Sequence, residues 1–363
     1  MSSADLAPDR PSAAVRGSYI LANILVLAVL AYAWALEVHW PDFYYMSIQE
    51  DEYIEWASFW AFFLAAIAAI VAGRKMAPER FPWFLYGLAL FCFFVAMEEI
   101  SWGQRVLGYR PPVYFLEHNF QQEFNFHNVI DTDYRKLALS LTIVGYGVLL
   151  PLLALAAPLR RLFDRVGIVV PPLGLLPLFA ATFLMYLVYP FSHSGEWVEL
   201  MLGLGMLFAL MPAGLKPVLL GWVVVMALGI ASGAMTRLQR DDQPEMLEAA
   251  KIEIEAIKRD FESGRATARC NVHKRLYSYV VKYEQFGLQQ GEFASLVGQG
   301  MPEERAEFLL DPWNSPYWIR YRCHRSSRKE VLFVYSFGPN RRRESTDFEI
   351  RGDDVGAYIN VSR

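Results

Sequence analysis

The sequence predicts a membrane all-α bundle of about seven transmembrane helices, followed by an external α+β domain made of a long helix and a small antiparallel sheet. Three observations predict it. Hydrophobic residues make up 54% of the 363, and the apolar excess lies in the first two thirds of the chain. Basic residues gather in alternate loops between the apolar runs. From about residue 237 the composition turns polar, first with helical and then with strand-like patterning.

The opening "MSSADLAPDRPSAAVRG" is polar and reads as a disordered cytoplasmic tail over 1–17. A helix needs about 20 mostly apolar residues to cross a bilayer. Candidate spans cover 18–38, 54–73, 82–104, 136–157, 168–190, 196–213 and 217–235, within a membrane domain of 18–235. The first run is too long for a signal-peptide core and has no small-x-small cleavage site, so it reads as a retained helix. The fifth holds "VVPPLG"; membrane helices tolerate such prolines better than soluble ones.

Charge sets the orientation. Arg10 and Arg16 precede the first span, Arg74, Lys75 and Arg80 follow the second, Arg160, Arg161 and Arg165 follow the fourth, and Lys216 follows the sixth. No Lys or Arg separates spans one and two, or five and six. By the positive-inside rule the N-terminus is cytoplasmic, and seven spans put residues 236–363 outside. Arg105, Arg110, Arg135 and Lys136 depart from the pattern, in a long acidic loop that crosses regardless.

Beyond the last span, "RLQRDDQPEMLEAAKIEIEAIKRDFESG" reads as a helix with an apolar stripe at Met246, Ala249, Ala250, Ile254 and Ile257. A second helical stretch is expected at "CNVHKRLYSYVVKYEQFG". The runs "YWIRYRC" and "EVLFVYSFG", parted by turn residues, predict a hairpin. In "DPWNSPY" the prolines fix turns, and Asp311 is placed to bond backbone amides two residues on. Cys92 reads as a small buried apolar residue, while Cys270 and Cys323 share the external domain, where pairing is allowed but no distance is known. His273 and His324 are expected at the domain surface.

The C-terminal stretch resembles the head of the major pseudopilin of type II secretion systems. The likeness rests on "DPWNSPY" (Asp311 to Tyr317), "VYSFGPNRR" (Val334 to Arg342) and "GDDV" (Gly352 to Val355), in the family's order and spacing. It implies a bacterial inner-membrane protein with a periplasmic head, which docks a protein partner or another copy. It also implies calcium at Asp347, Asp353 and Asp354, set against a solvated acidic turn. "PNRRRES" lacks the family's second glycine and brings three arginines. Span seven, "GLKPVLLGWVVVMALG", lacks the pilin Gly-Phe cleavage site and its glutamate, so the chain is expected to be neither processed nor polymerised.

Four polar clusters fall on the external side. "QEDEYIEWAS" opens span two, "EEISWGQR" closes span three, "EHNFQQEFNFHN" follows it, and "HSGEWVE" opens span six. If helical, Glu123 and His127 share a face, flanked by Asn125 and Asn128; His193, Glu196 and Glu199 step by three. Such spacings suit a bundle-borne site for zinc, iron or manganese. The candidate metal ligands are Glu123, His127, His193 and Glu196; Glu98, Glu99, Ser101 and Gln104 are candidate catalytic residues, with Glu55, Asn125, Asn128 and Glu199 secondary. Against this stands a hydrated helix end, with acids favoured at helix N-termini. The succession of "EEISWGQR" and N-x-Q-x-E-x-N-x-H-N also resembles uncharacterised bacterial multi-span proteins, which implies no activity.

Two functions follow as expectations. One is a membrane-embedded, metal-dependent hydrolase of a lipid or lipid-linked substrate; the alternative is a non-catalytic envelope protein whose head binds a partner. Membrane lipids are expected partners in either case. No phosphate-cradling glycine loop or concentrated basic patch points to nucleic acid.

Overall fold

The computed structural model describes residues 12–76, 82–119, 121–191, 193–263, 268–282, 300–323 and 330–360. The chain forms two compact units. The first holds Met1–Ile100 and Ile130–Ala234, the second Ser101–Val129 and Met235–Arg363. The segment between the third and fourth predicted spans thus folds with the C-terminal part, unlike the division into 18–235 and 236–363.

In chain order the helices begin with α1 Ala13–His39, α2 Pro41–Ser47, α3 Tyr53–Lys75, α4 Trp83–Glu99, α5 Gln104–Leu107 and α6 Val113–His118. They continue with α7 Thr132–Leu153, α8 Ala157–Val166, α9 Leu173–Val188, α10 Ser194–Leu210 and α11 Leu215–Leu238. Four of them, α1, α3, α7 and α11, are long and apolar enough to cross a membrane. The other predicted spans correspond to α4 and α10, at 17 residues each, and to the shorter α9.

Local chemistry sets these limits. Ser12 caps α1, accepting from the Val15 N–H, so the tail expected over 1–17 is already helical from Ala13. Helix α4 stops at Glu99 rather than running to residue 104, because Ser101, Trp102 and Gly103 all take positive φ, at 46°, 55° and 80°. Pro171 and Pro172 delay α9 to Leu173. The stretch Leu141–Leu149 of α7 is π-helical. It contains Gly147, where a Cβ would stand 2.2 Å from Phe179 of α9.

Helix α10 is buried on nearly every side from Trp197 to Phe208, as expected of a helix that is apolar all round. It packs on α3, which also packs on α4. At Gly203 of α10 a Cβ would come 2.9 Å from Ala61 of α3, so the glycine sets this close approach.

In the second unit, helix α12 (Pro244–Glu262) lies on a four-stranded antiparallel sheet. The strands β1 Val272–Arg275, β2 Trp318–Cys323, β3 Glu330–Ser336 and β4 Val355–Ile359 lie in sequence order. The predicted hairpin is β2–β3, with Ile319 opposite Val334. The expected second helix divides: Val272–Arg275 is a strand and Leu276–Lys282 is helical (α13), while residues 283–287 of the stretch lie outside the described residues. The core joins Ile254 and Ile257 of α12 with Ile319, Leu332, Val334 and Ile359 of the sheet, and Leu116 of α6 enters it. A disulfide links Cys270 and Cys323, whose Cα atoms are 5.4 Å apart. Cys92 is buried, as expected.

Candidate functional site

In the second unit "EHNFQQEFNFHN" is helical only as far as His118. Residues 121–130 form turns and bends, so Glu123 and His127 do not share a helix face. Glu123 is buried instead at the centre of a hydrogen-bonded network. Its Oε2 accepts from Ser101 Oγ at 3.0 Å and from Asn125 Nδ2 at 3.2 Å, and Asn125 Nδ2 also donates to Ser101 Oγ at 3.1 Å. Its Oε1 faces Arg275 Nη2 of β1 at 3.4 Å.

The neighbouring amides extend this network. Gln104 Oε1 accepts from the Phe124 N–H at 2.6 Å, Asn119 Nδ2 donates to the Glu123 carbonyl at 2.7 Å, and Gln122 Nε2 donates to the Phe308 carbonyl at 3.0 Å. Asn128 donates to Gln121, and His127 is half-buried in the turn. The Arg105 side chain and His324 lie outside the described residues. Of this set, Arg275, Asn119 and Gln122 were not among the predicted residues. Each makes contacts far from its neighbours in sequence or within a turn, which periodicity does not reveal.

The remaining acids gather in the first unit. The charges acting on the Glu99 carboxyl are those of Glu199, Glu196, Glu55 and Glu98, in decreasing order. They come from three helix ends: the start of α3, the end of α4 and the start of α10. Glu55 and Glu196 stand in first turns, where the helix dipole favours acids. Glu55 also accepts from the Asp51 N–H. Glu98 and Glu99 stand in a last turn, where the dipole disfavours them, and Glu98 is buried. His193 is exposed, with a positive φ of 56°, at the N-cap of α10.

Among the described residues, one group of metal-ligating side chains has its ligand atoms within 4.8 Å of one another: Glu344, Asp353 and Asp354. Glu344 takes the place expected of Asp347. Asp347 is engaged instead by Arg320, by Arg322 (2.6 Å) and by Arg343 (3.6 Å). Burial alone would raise the Asp347 pKa, but Arg322 and Arg320 hold it below the usual range. Both Asp353 carboxylate oxygens are buried without a hydrogen-bond partner, although Arg240 lies 3.6 Å away. Gly352 makes room for the group: with φ at 63°, a Cβ there would stand 1.5 Å from Glu344 Oε2. That oxygen accepts from the Asp353 N–H at 2.7 Å. All-oxygen donors fit a hard cation such as calcium.

Asp353 and Asp354 are each pushed up to about 7, by burial first and also by the neighbouring Glu344 carboxylate. The folded chain holds these protons more tightly than the unfolded chain. That stabilisation is full below the ordinary 3.8 and is lost as pH rises through about 7.

His273 is not a simple surface residue. It packs on Trp318 (4.9 Å between centroids), and its Nε2 lies 2.9 Å from the Tyr335 hydroxyl. Burial, and then Arg320, push its pKa down from 6.5 to about 3, so stability falls as pH drops through that window. The thermal midpoint of the second unit is therefore expected to peak near the ordinary carboxylate value of 3.8, because above it the two aspartates lose more stability than His273 regains. His273→Gln should flatten the acid arm and Asp353→Asn the alkaline arm. A profile that is level in the wild-type chain would overturn both assignments.

These features mark a chain compatible with a membrane protein: among the described residues four helices have the length and apolar character to cross a bilayer, and a small α+β unit accompanies them. Compared with family models, with curated proteins and with solved structures, the chain has no match in any of the three.

Proposed function

We propose that this chain is a seven-span protein of the bacterial inner membrane with a cytoplasmic N-terminus. Its external, pseudopilin-like head docks a protein partner and catalyses no reaction. The observation that carries this reading is the engagement of Glu123. A general base or metal ligand needs a lone pair directed at substrate or ion. The Glu123 oxygens are instead directed at Ser101, Asn125 and Arg275. In this reading residues 101–129 help to build the head. The resemblance to the major pseudopilin is supported by helix α12 on an antiparallel meander and by the turn at Asp311, which accepts from the Trp313 and Ser315 N–H groups at 2.9 and 2.8 Å. The group Glu344, Asp353 and Asp354 would hold calcium and steady the loop.

A second reading is favoured by one observation, the placement of Glu98 and Glu99 at a helix C-terminus among Glu55, Glu196 and Glu199. Drawn together around an ion, these carboxylates would serve a metal-dependent hydrolase of a lipid or lipid-linked substrate, although among the described residues only Glu344, Asp353 and Asp354 already have ligand atoms within 4.8 Å of one another.

Elemental analysis of the detergent-purified chain separates the two readings. Docking expects no stoichiometric transition metal, and no change in the variants Glu98→Gln and Glu199→Gln. Stoichiometric manganese, iron or zinc that both variants lose would replace docking by hydrolysis. Docking further expects a defined adduct from photo-crosslinkers at Phe348 and Tyr358, which are 45% and 49% exposed on the head. Absence of any adduct in native membranes counts against it.

A further inference from the structure

Helix α8 (Ala157–Val166, "APLRRLFDRV") has ten residues, about half of what a bilayer crossing requires. At 100° per residue its faces separate cleanly. Leu159, Leu162, Phe163 and Val166 share one side, while Arg160, Arg161, Asp164 and Arg165 share the other. Phe163 is buried and Leu159 half-buried, but Leu162 and Val166 stay 47% and 41% exposed. The apolar stripe is thus only partly covered by the protein.

The helix is also fixed in place. Trp83 Nε1, in the first turn of α4, donates to the Val166 carbonyl at 2.6 Å. The flanking α7 and α9 are apolar and end and begin close to it, at Leu153 and Leu173. The same end of the unit carries Arg74 and Lys75, in the last turn of α3, which packs antiparallel to α4.

We propose that α8 lies in the interface of the cytoplasmic leaflet and enriches anionic phospholipid around the bundle, with Leu162 and Val166 entering the acyl boundary and Arg160, Arg161 and Arg165 meeting headgroup phosphates. Short helices of this build bind membranes by buried apolar area together with attraction to anionic lipid. Three arginines against one aspartate give the complementary charge. Guanidinium groups pair with phosphate oxygens in bidentate fashion. Each basic residue close to such a surface contributes about five-fold. The inference rests on the proposed orientation of the chain in the membrane and not on what the head does.

The test uses the full chain carrying Leu162→Cys, labelled with an environment-sensitive fluorophore, in nanodiscs of phosphatidylcholine containing a minor fraction of phosphatidylglycerol. Cys92 is buried, and Cys270 and Cys323 are paired, so the label is selective. Brominated phosphatidylglycerol should quench the probe several-fold more than brominated phosphatidylcholine at equal mole fraction. The triple change Arg160→Gln, Arg161→Gln and Arg165→Gln should abolish that preference while the probe stays quenched by both lipids, which also shows that the variant is folded in the bilayer. Equal quenching in the unsubstituted background would overturn the proposal. So would a preference that survives the triple change, or a probe that no brominated lipid reaches, the result expected if a protein covered this face.

Discussion

Replacing Glu123 by alanine is expected to destabilise the second unit by about 3–5 kcal/mol, the range for breaking a buried ion pair from one side. The Glu123 and Arg275 side chains are 7% and 5% exposed. Alanine takes the Glu123 charge away from the buried guanidinium and removes an acceptor shared by Ser101 and Asn125. Among its other contacts Arg275 would retain the Trp318 ring, 4.6 Å from its guanidinium carbon, a cation–π contact that offsets part of the loss. Glu123→Gln should cost less, since an amide oxygen still accepts from Ser101. The double change Glu123→Ala with Arg275→Met should cost less than the two single changes combined, because the stranded charge is gone. Hydrogen exchange of the paired β2 and β3 amides during denaturation reports the second unit separately from the helical one. An effect of Glu123→Ala below about 0.5 kcal/mol, the usual range for a surface change, would remove Glu123 from the centre of this network.

Much of the architecture is legible from periodicity and composition, which are local signals. The apolar runs, the α12 stripe, the β2–β3 hairpin and the Asp311 turn each follow from residues close together in sequence. The limits of the elements are less legible. Gly103 is the only member of its turn whose residue type announces a positive φ; Ser101 and Trp102 adopt one as well, and no propensity predicts it. Strand β1 reads as helix because "VHKRLYSY" has no alternation; it is extended because it pairs with β2, so tertiary contact overrides local preference.

The candidate site divides for the same reason. Glutamates collected at one side of the membrane can be seen in sequence, and Glu55, Glu98, Glu196 and Glu199 lie near enough to Glu99 for their charges to reach it. Glu123 and His127 look like members of that set by composition, yet they fold with the C-terminal unit. That assignment depends on Leu116, Gln122 and Glu123 reaching partners more than a hundred residues away, which spacing alone cannot reveal.

Removal of the disulfide is expected to cost about 4 kcal/mol in the chain-entropy account, since the link closes a loop of 53 residues. Its position increases the consequence. Val272 pairs with Tyr321, so Cys270 and Cys323 close the end of the β1–β2 ladder. Strand β1 has four residues and lies at the sheet edge, paired on one side only. It also carries Arg275, the partner of Glu123. Freed of its staple, β1 should fray and loosen residues 101–129 with it. Cys270→Ala with Cys323→Ala should therefore be non-additive with Glu123→Ala: once the strand is loose, losing Glu123 adds little. Additive effects would show that the network survives without the staple. The same bond reports the side of the membrane, because such links persist in oxidising compartments and are rare in the cytosol. Alkylation of intact cells, followed by reduction and a second label, should find Cys270 and Cys323 protected until the reductant is added. Free thiols at both positions in native membranes would place residues 236–363 on the cytoplasmic side and reverse the proposed topology, and the external head would go with it.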